Sequence, residues 1–229
     1  MKRPPHCQPK TLRHGGTRGF ALTTLLAMLA LASMATLLAM RNLWLNAQLL
    51  NAEADQLRTQ HKAEAVLPIA LNDLLGIGQS SSPDTFSHRH HAGTSDQAHA
   101  FFPTSMVDYD LLRQRLNTSA CSAGICAPNT LQTKPHKASD WKMQIATAMP
   151  VSANQTPYGD QTAWYWVEVF PLDTSSPANH ASTAPFVYRI TTLAKGLMPG
   201  STTVLQAIWV RDTPTALTGQ WHSWYVLQD

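Results

Sequence analysis

Residues 20–40 read FALTTLLAMLALASMATLLAM, a run that contains no charged residue, no glycine and no proline. A helix of about 20 apolar residues is long enough to cross the hydrocarbon layer of a membrane. The few polar members are hydroxyl side chains, which a membrane helix tolerates because they can bond a carbonyl group one turn back. This stretch therefore predicts a membrane-spanning helix near the amino terminus.

The segment before this run is basic. The first 18 residues hold no acid and five cations, namely Lys2, Arg3, Lys10, Arg13 and Arg18. A positively charged flank stays on the cytoplasmic side, so we expect the rest of the chain to be exported. The sequence pI of about 8.8 comes largely from this segment. It is therefore weak support for nucleic-acid binding, and we expect no nucleic-acid partner.

Three interpretations of this amino terminus compete: a cleaved secretory signal, a plain signal anchor, and a leader followed by an assembly helix. A secretory signal has a shorter apolar core, about 7 to 15 residues, that ends at a small-x-small cleavage site. The run in this chain is longer and continues into more helix-forming sequence. A plain anchor explains the hydrophobicity but gives no reason for Arg18-Gly19-Phe20 at the cytoplasmic edge.

Helical character continues beyond the apolar run. Residues 20–67 contain neither glycine nor proline, which allows one helix of about 70 Å at 1.5 Å per residue. Pro68 is expected to kink or end this helix, and the region closes at Gly76 and Gly78. Because the helix is longer than a membrane requires, its second half should pack on the exported head. The apolar stripe available at helical spacing is Leu43, Ala47, Leu50, Ala54 and Leu57.

Residues 76–100 form a Ser-, Gly- and His-rich linker with four histidines, His88, His90, His91 and His99. Neutral imidazole binds zinc, copper or nickel, so a metal site is one hypothesis. The spacing shows no i,i+4 pair and no cysteine lies nearby. We therefore expect a solvated loop and no metal ligand.

The chain has three cysteines, Cys7 in the basic segment and Cys121 and Cys126 in the head. Two cysteines in an exported segment are expected to pair, while the odd one belongs to a different compartment. A half zinc site is the alternative, but it needs two more ligands and an intracellular setting.

The head is predicted to be rich in β-structure. A short helix is expected over Val107–Leu116, and alternation and β-propensity predict four strands, at Trp141–Met149, Ala163–Phe170, Phe186–Leu193 and Thr202–Arg211. Turn-rich intervals between them favour an antiparallel meander whose other face is partly solvated. The face turned to the helix should carry Trp141, Met143, Ile145, Met149, Tyr188 and Ile190. The expected fold class is thus α+β, a long helix packed on a small antiparallel sheet.

Aromatic side chains are frequent in the head, and they suit either a core or a carbohydrate-binding platform. Strand positions favour the core for Trp164, Tyr165, Trp166 and Trp209. The segment past the main strands favours contact with a partner or a glycan, and its candidate residues are Trp221, Trp224 and Tyr225. No P-loop, Rossmann glycines, HExxH or GxSxG occurs, so we expect no enzyme and no cofactor.

Thr17-Arg18-Gly19-Phe20-Ala21-Leu22 resembles the type III signal of type IV prepilins. The resemblance implies a pilin-like fold, cleavage between Gly19 and Phe20 by a membrane prepilin peptidase, and methylation of Phe20. In the family the fifth residue after the cut is usually Glu, which is thought to neutralise the amino terminus of a neighbouring subunit. This chain has Thr24 at that position. That departure is similar to PilX-type minor pilins, although Thr24 is also an ordinary neutral residue for a membrane helix.

A second resemblance lies in the head. Cys121-Ser122-Ala123-Gly124-Ile125-Cys126-Ala127-Pro128 resembles a C-x-x-G-(L/I)-C-x-P element that PilX-type heads carry ahead of their sheet. Tyr188-Arg189-Ile190-Thr191 and Val204-Leu205-Gln206 are similar to later strands of those heads.

Four segments follow: a cleaved leader (1–19), an anchor and assembly helix (20–75), a linker (76–100) and an exported head (101–229). The resemblance implies a minor pilin in type IV pilus assembly, as a priming or tip subunit, whose partners are other minor pilins, the major pilin and the prepilin peptidase. It implies an inner-membrane protein with a periplasmic head that later joins an extracellular pilus. A pilus-associated adhesin is the alternative, and a signal-anchored periplasmic protein unrelated to pili is a third.

Overall fold

The computed structural model describes residues 20–77, 89–91, 93, 99–117, 120–131, 144–157, 159, 162–172, 186–213 and 216–227. The chain divides into two compact units, Met1–Asn51 and Ala52–Asp229. Helix α1 (Ala21–Leu75) runs for 55 residues and continues through Pro68. Its most apolar window has a mean hydropathy of 2.0, and among the described residues it is the one helix long and apolar enough to cross a membrane.

In the second unit, the carboxy-terminal turns of α1 pack on a mixed β-sheet. Helix α2 (Met106–Arg115) lies one residue earlier than the helix expected from the sequence. It begins at a capping box in which the Ser105 hydroxyl accepts the Asp108 N–H at 3.2 Å and the Asp108 carboxylate accepts the Ser105 N–H at 3.1 Å. These two bonds satisfy N–H groups that the first turn of a helix leaves without partners.

The sheet has seven strands, six of which follow the order β1-β2-β4-β5-β6-β7, while β3 also pairs with β4. Strand β2 runs parallel to β4, and the other pairs are antiparallel. The bounds are β1 (Cys121–Ser122), β2 (Ile125–Cys126), β3 (Met149–Pro150), β4 (Ala163–Pro171), β5 (Phe186–Lys195), β6 (Thr202–Arg211) and β7 (Gly219–Leu227). The fold class is α+β, but the sheet is mixed where an all-antiparallel meander was expected.

Strands β4, β5 and β6 agree with the sequence prediction, and β4 and β5 extend one and two residues beyond the predicted ends. The strand predicted over Trp141–Met149 is wrong where the structure describes it, because Ile145–Thr147 form a 3-10 turn and only Met149–Pro150 pair with β4. Trp141 and Met143 lie outside the described residues. Strand β7 was not predicted.

One side of the sheet packs against α1. Ala63, Val66 and Ala70 of the helix are fully buried together with strand residues that include the expected Tyr188 and Ile190. Small side chains on the helix let its backbone come close to the sheet, as close packing requires. The prediction for Tyr188 and Ile190 is therefore confirmed.

The other side of the sheet is buried over part of its area, while Phe170 and Ile208 are half-buried and Tyr225 is exposed there, as expected for a partly solvated face. Trp166 and Leu193 form a second cluster there with Cys126 and Leu131. Ile145 packs against this cluster, so its predicted position on the helix side is wrong. The physical reason is the 3-10 turn, since the period-two alternation used for the prediction holds only in a strand.

The apolar stripe predicted for the contact between helix and head is wrong as well. Leu57 is 67% exposed, and Leu43 and Leu50 are exposed too. The buried residues of α1 begin with polar side chains and become apolar later, in the order Asp55, Thr59, Lys62, Ala63, Val66, Ala70, Asp73 and Leu74. Periodicity marked a stripe, but it could not show which stripe meets the sheet.

Candidate assembly surfaces

The amino-terminal end of α1 carries the residues of the predicted processing and assembly site. The Thr24 hydroxyl lies 3.0 Å from the carbonyl oxygens of both Phe20 and Ala21, and the Thr23 hydroxyl donates to the Phe20 carbonyl at 2.9 Å. Position 24 thus presents a hydroxyl bonded within its own helix and no carboxylate. Gly19 lies outside the described residues.

Polar side chains make the first contacts between α1 and the sheet. The Asp55 carboxylate accepts the backbone N–H groups of Leu197 at 2.9 Å and Met198 at 3.0 Å. Burial acts to raise the pKa of Asp55, but these N–H donors outweigh it and hold the pKa below its ordinary value. The Lys62 ammonium donates to the carbonyl of Lys195 at 3.0 Å. Asp55 binds the turn between β5 and β6 and Lys62 binds the end of β5, so both side chains fix this hairpin to the helix.

The close approach of helix and hairpin depends on Gly196. A Cβ atom at that position would lie 2.4 Å from a carboxylate oxygen of Asp55 and 2.6 Å from the Thr59 hydroxyl oxygen. Real Cβ atoms do not come this close, so a larger residue would displace the Asp55 and Thr59 side chains from their bonded positions or move the hairpin.

A buried ion pair lies at the centre of a cluster that joins four separate parts of the chain. Arg89 and Asp73 are only 3% and 2% exposed, and the Arg89 Nη2 atom lies 2.7 Å from the Asp73 carboxylate. A second Arg89 nitrogen donates to the Ala123 carbonyl at 2.5 Å, and the Tyr165 hydroxyl donates to Asp73 at 2.8 Å. Burial, with the Asp73 carboxylate, raises the pKa of Tyr165 well above its ordinary value. The cluster connects α1, the linker, the turn between β1 and β2, and strand β4.

Sequence reasoning missed this cluster. Arg89 lies inside the segment that was expected to be a solvated linker, and no periodic pattern marks it as buried. Its partners are 16 and 34 positions away along the chain. Only the folded chain brings them together.

The histidines of the linker occupy different environments. The His90 ring packs on Phe102 with centroids 5.6 Å apart, and burial lowers the pKa of His90. His91 is exposed, while His88 lies outside the described residues. Within the part of the chain that the structure describes, no group of three or more His, Cys, Asp or Glu residues could hold a metal ion.

Cys121 and Cys126 form a disulfide across the β1–β2 hairpin. The two turn residues, Ala123 and Gly124, have φ values of 47° and 78°, the left-handed conformation that a two-residue hairpin turn of type I′ requires. The Gly124 carbonyl accepts the N–H of Val167 at 2.7 Å, which holds the hairpin beside β4. A Cβ atom at Gly124 would lie 2.8 Å from the Met149 Cβ atom, so the packing also requires glycine.

A second buried ion pair lies on the side of the sheet away from α1. The Glu168 carboxylate, which is 0% exposed, contacts the Arg189 guanidinium at 2.6 and 2.8 Å and accepts the N–H of Leu131 at 3.1 Å. Burial raises the pKa of Glu168 against the opposite effect of Arg189. Since both carboxylate oxygens are already bonded, this pair ties Leu131 to the sheet and presents no free acid.

The sheet separates the three aromatic residues predicted as a partner or glycan surface. Trp221 pairs with Trp209 and Trp224 pairs with Ala207, both of which belong to the core on the helix side. Tyr225 lies on the other side, where its hydroxyl donates to the Gln206 amide oxygen. A register shift between Ile208 and Trp209 puts both tryptophans on one side despite their odd spacing.

The exposure of the aromatic residues follows their strands. Tyr165, Trp166 and Trp209 are at most 2% exposed, which confirms the core prediction for them. Trp221 and Trp224 are 44% and 57% exposed. Their strand, β7, is the only one among the described strands whose residues are mostly exposed.

These features define a class of protein. An apolar amino-terminal helix whose later turns pack on a small mixed sheet is the architecture of type IV pilin-like proteins, and the helix fits a single-pass membrane anchor.

The head resembles a known family. Residues 122–211 match the family model described as "Type IV pilus assembly protein PilX C-term". The apolar helix, the disulfide and this match together fit a PilX-type minor pilin. No curated protein and no solved structure matches the chain. The matched segment runs from β1 to the end of β6, so β7 lies beyond it.

Proposed function

We propose that the chain takes part in type IV pilus assembly, and the match of residues 122–211 to the PilX family model supports this. We propose that it primes assembly as a tip or near-tip subunit and does not build the filament shaft. The observation that supports this proposal most directly is Thr24, whose hydroxyl is engaged within its own helix.

The argument concerns a charge in an apolar environment. A shaft subunit accepts the amino terminus of a neighbour at every repeat, and an unpaired ammonium in a filament core is costly. A subunit at the extreme tip has no neighbour above it and needs no carboxylate at this position. Thr24 is thus compatible with the tip and unfavourable in the shaft.

Gene deletion tests the priming role. We expect the deletion strain to show far fewer surface pili while the major pilin accumulates in the membrane, and we expect the wild-type gene to restore piliation. Thr24→Glu serves as a matched variant and should not increase pilus number, because the tip position does not use the carboxylate. Pili of normal number and length in the deletion strain would remove the priming role and favour adhesion.

We further propose that the prepilin peptidase cuts between Gly19 and Phe20 and that Phe20 is methylated. Helix α1 begins at Ala21, so Phe20 precedes the first helical residue. Sequencing of the mature amino terminus checks this. Gly19→Glu should leave the precursor uncut, whereas Gly19→Ala should be processed, because only the larger charged side chain obstructs an extended backbone in the protease.

The same proposal covers topology and partners. The head lies in the periplasm before assembly and then in the extracellular pilus, in contact with the major pilin and other minor pilins. Protease added to spheroplasts should digest the head of the unassembled protein. Protection of the head there would contradict this orientation.

Adhesion is the second candidate function, and the observation that favours it is the exposure of Trp221 and Trp224 on one side of the sheet. Exposed tryptophan rings can stack on sugars or fill a partner's pocket. Trp221→Ala with Trp224→Ala should then abolish glycan or cell-surface binding while pilus number stays normal. Unchanged cell binding by such pili would exclude this function.

A further inference from the structure

The two ends of the sheet differ in how they are protected. At one end, β1 is two residues long and closed by the disulfide, and the two-residue β3 ends at Pro150. At the other end, β7 spans nine residues. In the described part of the chain β7 has one strand neighbour, β6. Among the described residues, its outer edge therefore presents a row of backbone N–H and C=O groups without a strand partner.

Natural edge strands are usually protected from pairing by charged residues, prolines or short length. Strand β7 reads GQWHSWYVL and contains no Asp, Glu, Lys, Arg or Pro. Its bulge lies at the pairing with β6 and leaves the strand continuous to Leu227. By composition, β7 is thus a strand suited to pairing on its free edge.

The pattern of exposure shows what shape of partner would fit. Trp224, on the helix side of the sheet, is 57% exposed, and Tyr225, on the opposite side, is 40% exposed. A ligand docked on one face of the sheet would cover only one of these rings. A strand added beside β7 places alternate side chains on both faces, so it covers both rings at once.

We propose that β7 accepts an extended strand from another protein of the pilus tip, and that this strand is uncharged with apolar side chains on both faces. The lack of charge follows from β7, which offers no opposite charge to a residue directly across from it. The apolar character follows from its cross-strand neighbours, Trp221, Trp224 and Tyr225. The proposal rests on the proposed tip function, because a subunit that occurs once at a tip has no second copy beside it.

Site-specific photo-crosslinking in the full-length, membrane-inserted protein tests this inference. A photoreactive phenylalanine analogue replaces Trp224, and the same analogue replaces Leu111, an exposed residue of α2, as the matched control. Mass spectrometry then identifies the linked peptide. We expect an adduct from position 224, and not from position 111, to one uncharged apolar segment of a different pilus protein.

A variant of the edge separates backbone pairing from side-chain contact. Ser223→Pro removes a backbone N–H from β7 but keeps all the aromatic rings, and it should reduce the adduct at least tenfold. Ser223→Lys adds a charge to the strand and should do the same without disturbing the backbone. Urea unfolding of each variant shows whether the head stays folded, and the lysine variant decides the question if the proline variant unfolds.

Several outcomes would overturn strand addition at β7. These are an adduct to a second copy of this chain, an adduct to a charged segment, no peptide adduct at all, or an adduct that Ser223→Lys leaves unchanged. Pilus counts in the deletion strain measure the priming function separately. Normal counts combined with the expected adduct would reject priming and retain strand addition.

Discussion

Replacing Arg89 by methionine should destabilise the head strongly. The substitution keeps an apolar side chain of similar length but removes every bond from the guanidinium to Asp73 and to the Ala123 carbonyl. Asp73 is 2% exposed, so its carboxylate would remain as a buried charge. Among the described contacts of this cluster, the Tyr165 hydroxyl is the side chain that would still donate a hydrogen bond to it. Breaking a buried pair in this way costs about 3–5 kcal/mol.

Urea unfolding of the full chain in detergent micelles, followed by tryptophan fluorescence, measures this cost. Trp166 and Trp209 are buried and report the loss of the core. With an m-value of about 2 kcal/mol/M, a loss of about 4 kcal/mol lowers the midpoint by about 2 M. Arg113→Met is the matched control, since Arg113 is exposed and its removal should change stability by less than about 0.5 kcal/mol.

A double variant tests the reason for the loss. Adding Asp73→Leu to Arg89→Met removes the stranded carboxylate, although it leaves the Tyr165 hydroxyl without its acceptor at a cost of about 1–3 kcal/mol. The double variant should therefore be more stable than Arg89→Met alone. If the free energies of unfolding of Arg89→Met and Arg113→Met differ by less than about 1 kcal/mol, the Arg89–Asp73 pair is effectively solvated and the reasoning is refuted.

Three more predictions concern the hairpins. Gly124→Ala should destabilise the head by about 2–4 kcal/mol, because the residue has a positive φ and its new Cβ atom would be overpacked. Gly159→Ala is the control in the same urea assay: φ is 67° there, but no atom lies within 4 Å of the added Cβ atom, so the cost should be only about 1–2 kcal/mol. Asp55→Asn should lower the free energy of unfolding by about 1–2 kcal/mol at pH 7. Because the pKa of Asp55 in the folded head lies below its ordinary value of 3.8, this difference should shrink as the pH falls below 3.8 and through the folded-state pKa. Urea unfolding at several pH values measures it. Equal pH profiles for the two proteins would contradict the role of Asp55. Cys126→Ser should cost about 2 kcal/mol because the disulfide closes a loop of only six residues, and dithiothreitol should destabilise the wild type by the same amount but not the variant.

Local pattern was enough to predict much of the fold. An uncharged run of 21 residues admits only a helix in a membrane, because backbone groups there must be bonded within the segment. Strands β5 and β6 could be predicted because their β-branched residues and their alternation of side chains are typical of a pleated strand. The pairing of Cys121 with Cys126 followed from the exported setting of the head.

Tertiary contacts decided the rest. The first buried residues of α1 are Asp55, Thr59 and Lys62. They are polar because the β5–β6 hairpin packs there and its backbone groups need polar partners. The burial of Arg89 depends on Asp73 and Ala123, which are distant from it in the sequence and approach it only in the folded chain.

By itself the sequence determined an apolar amino-terminal helix followed by a head with three long strands, because length, charge and periodicity are local properties of the chain. The tertiary structure alone decided that β2 runs parallel to β4 and that β7 is the edge strand at one end of the described sheet. It also decided that Trp221 and Trp224 lie on one side of the sheet while Tyr225 lies on the other. The physical reason is register: which residues stand opposite each other depends on pairing between distant strands, and a single bulge reverses the side that simple alternation predicts.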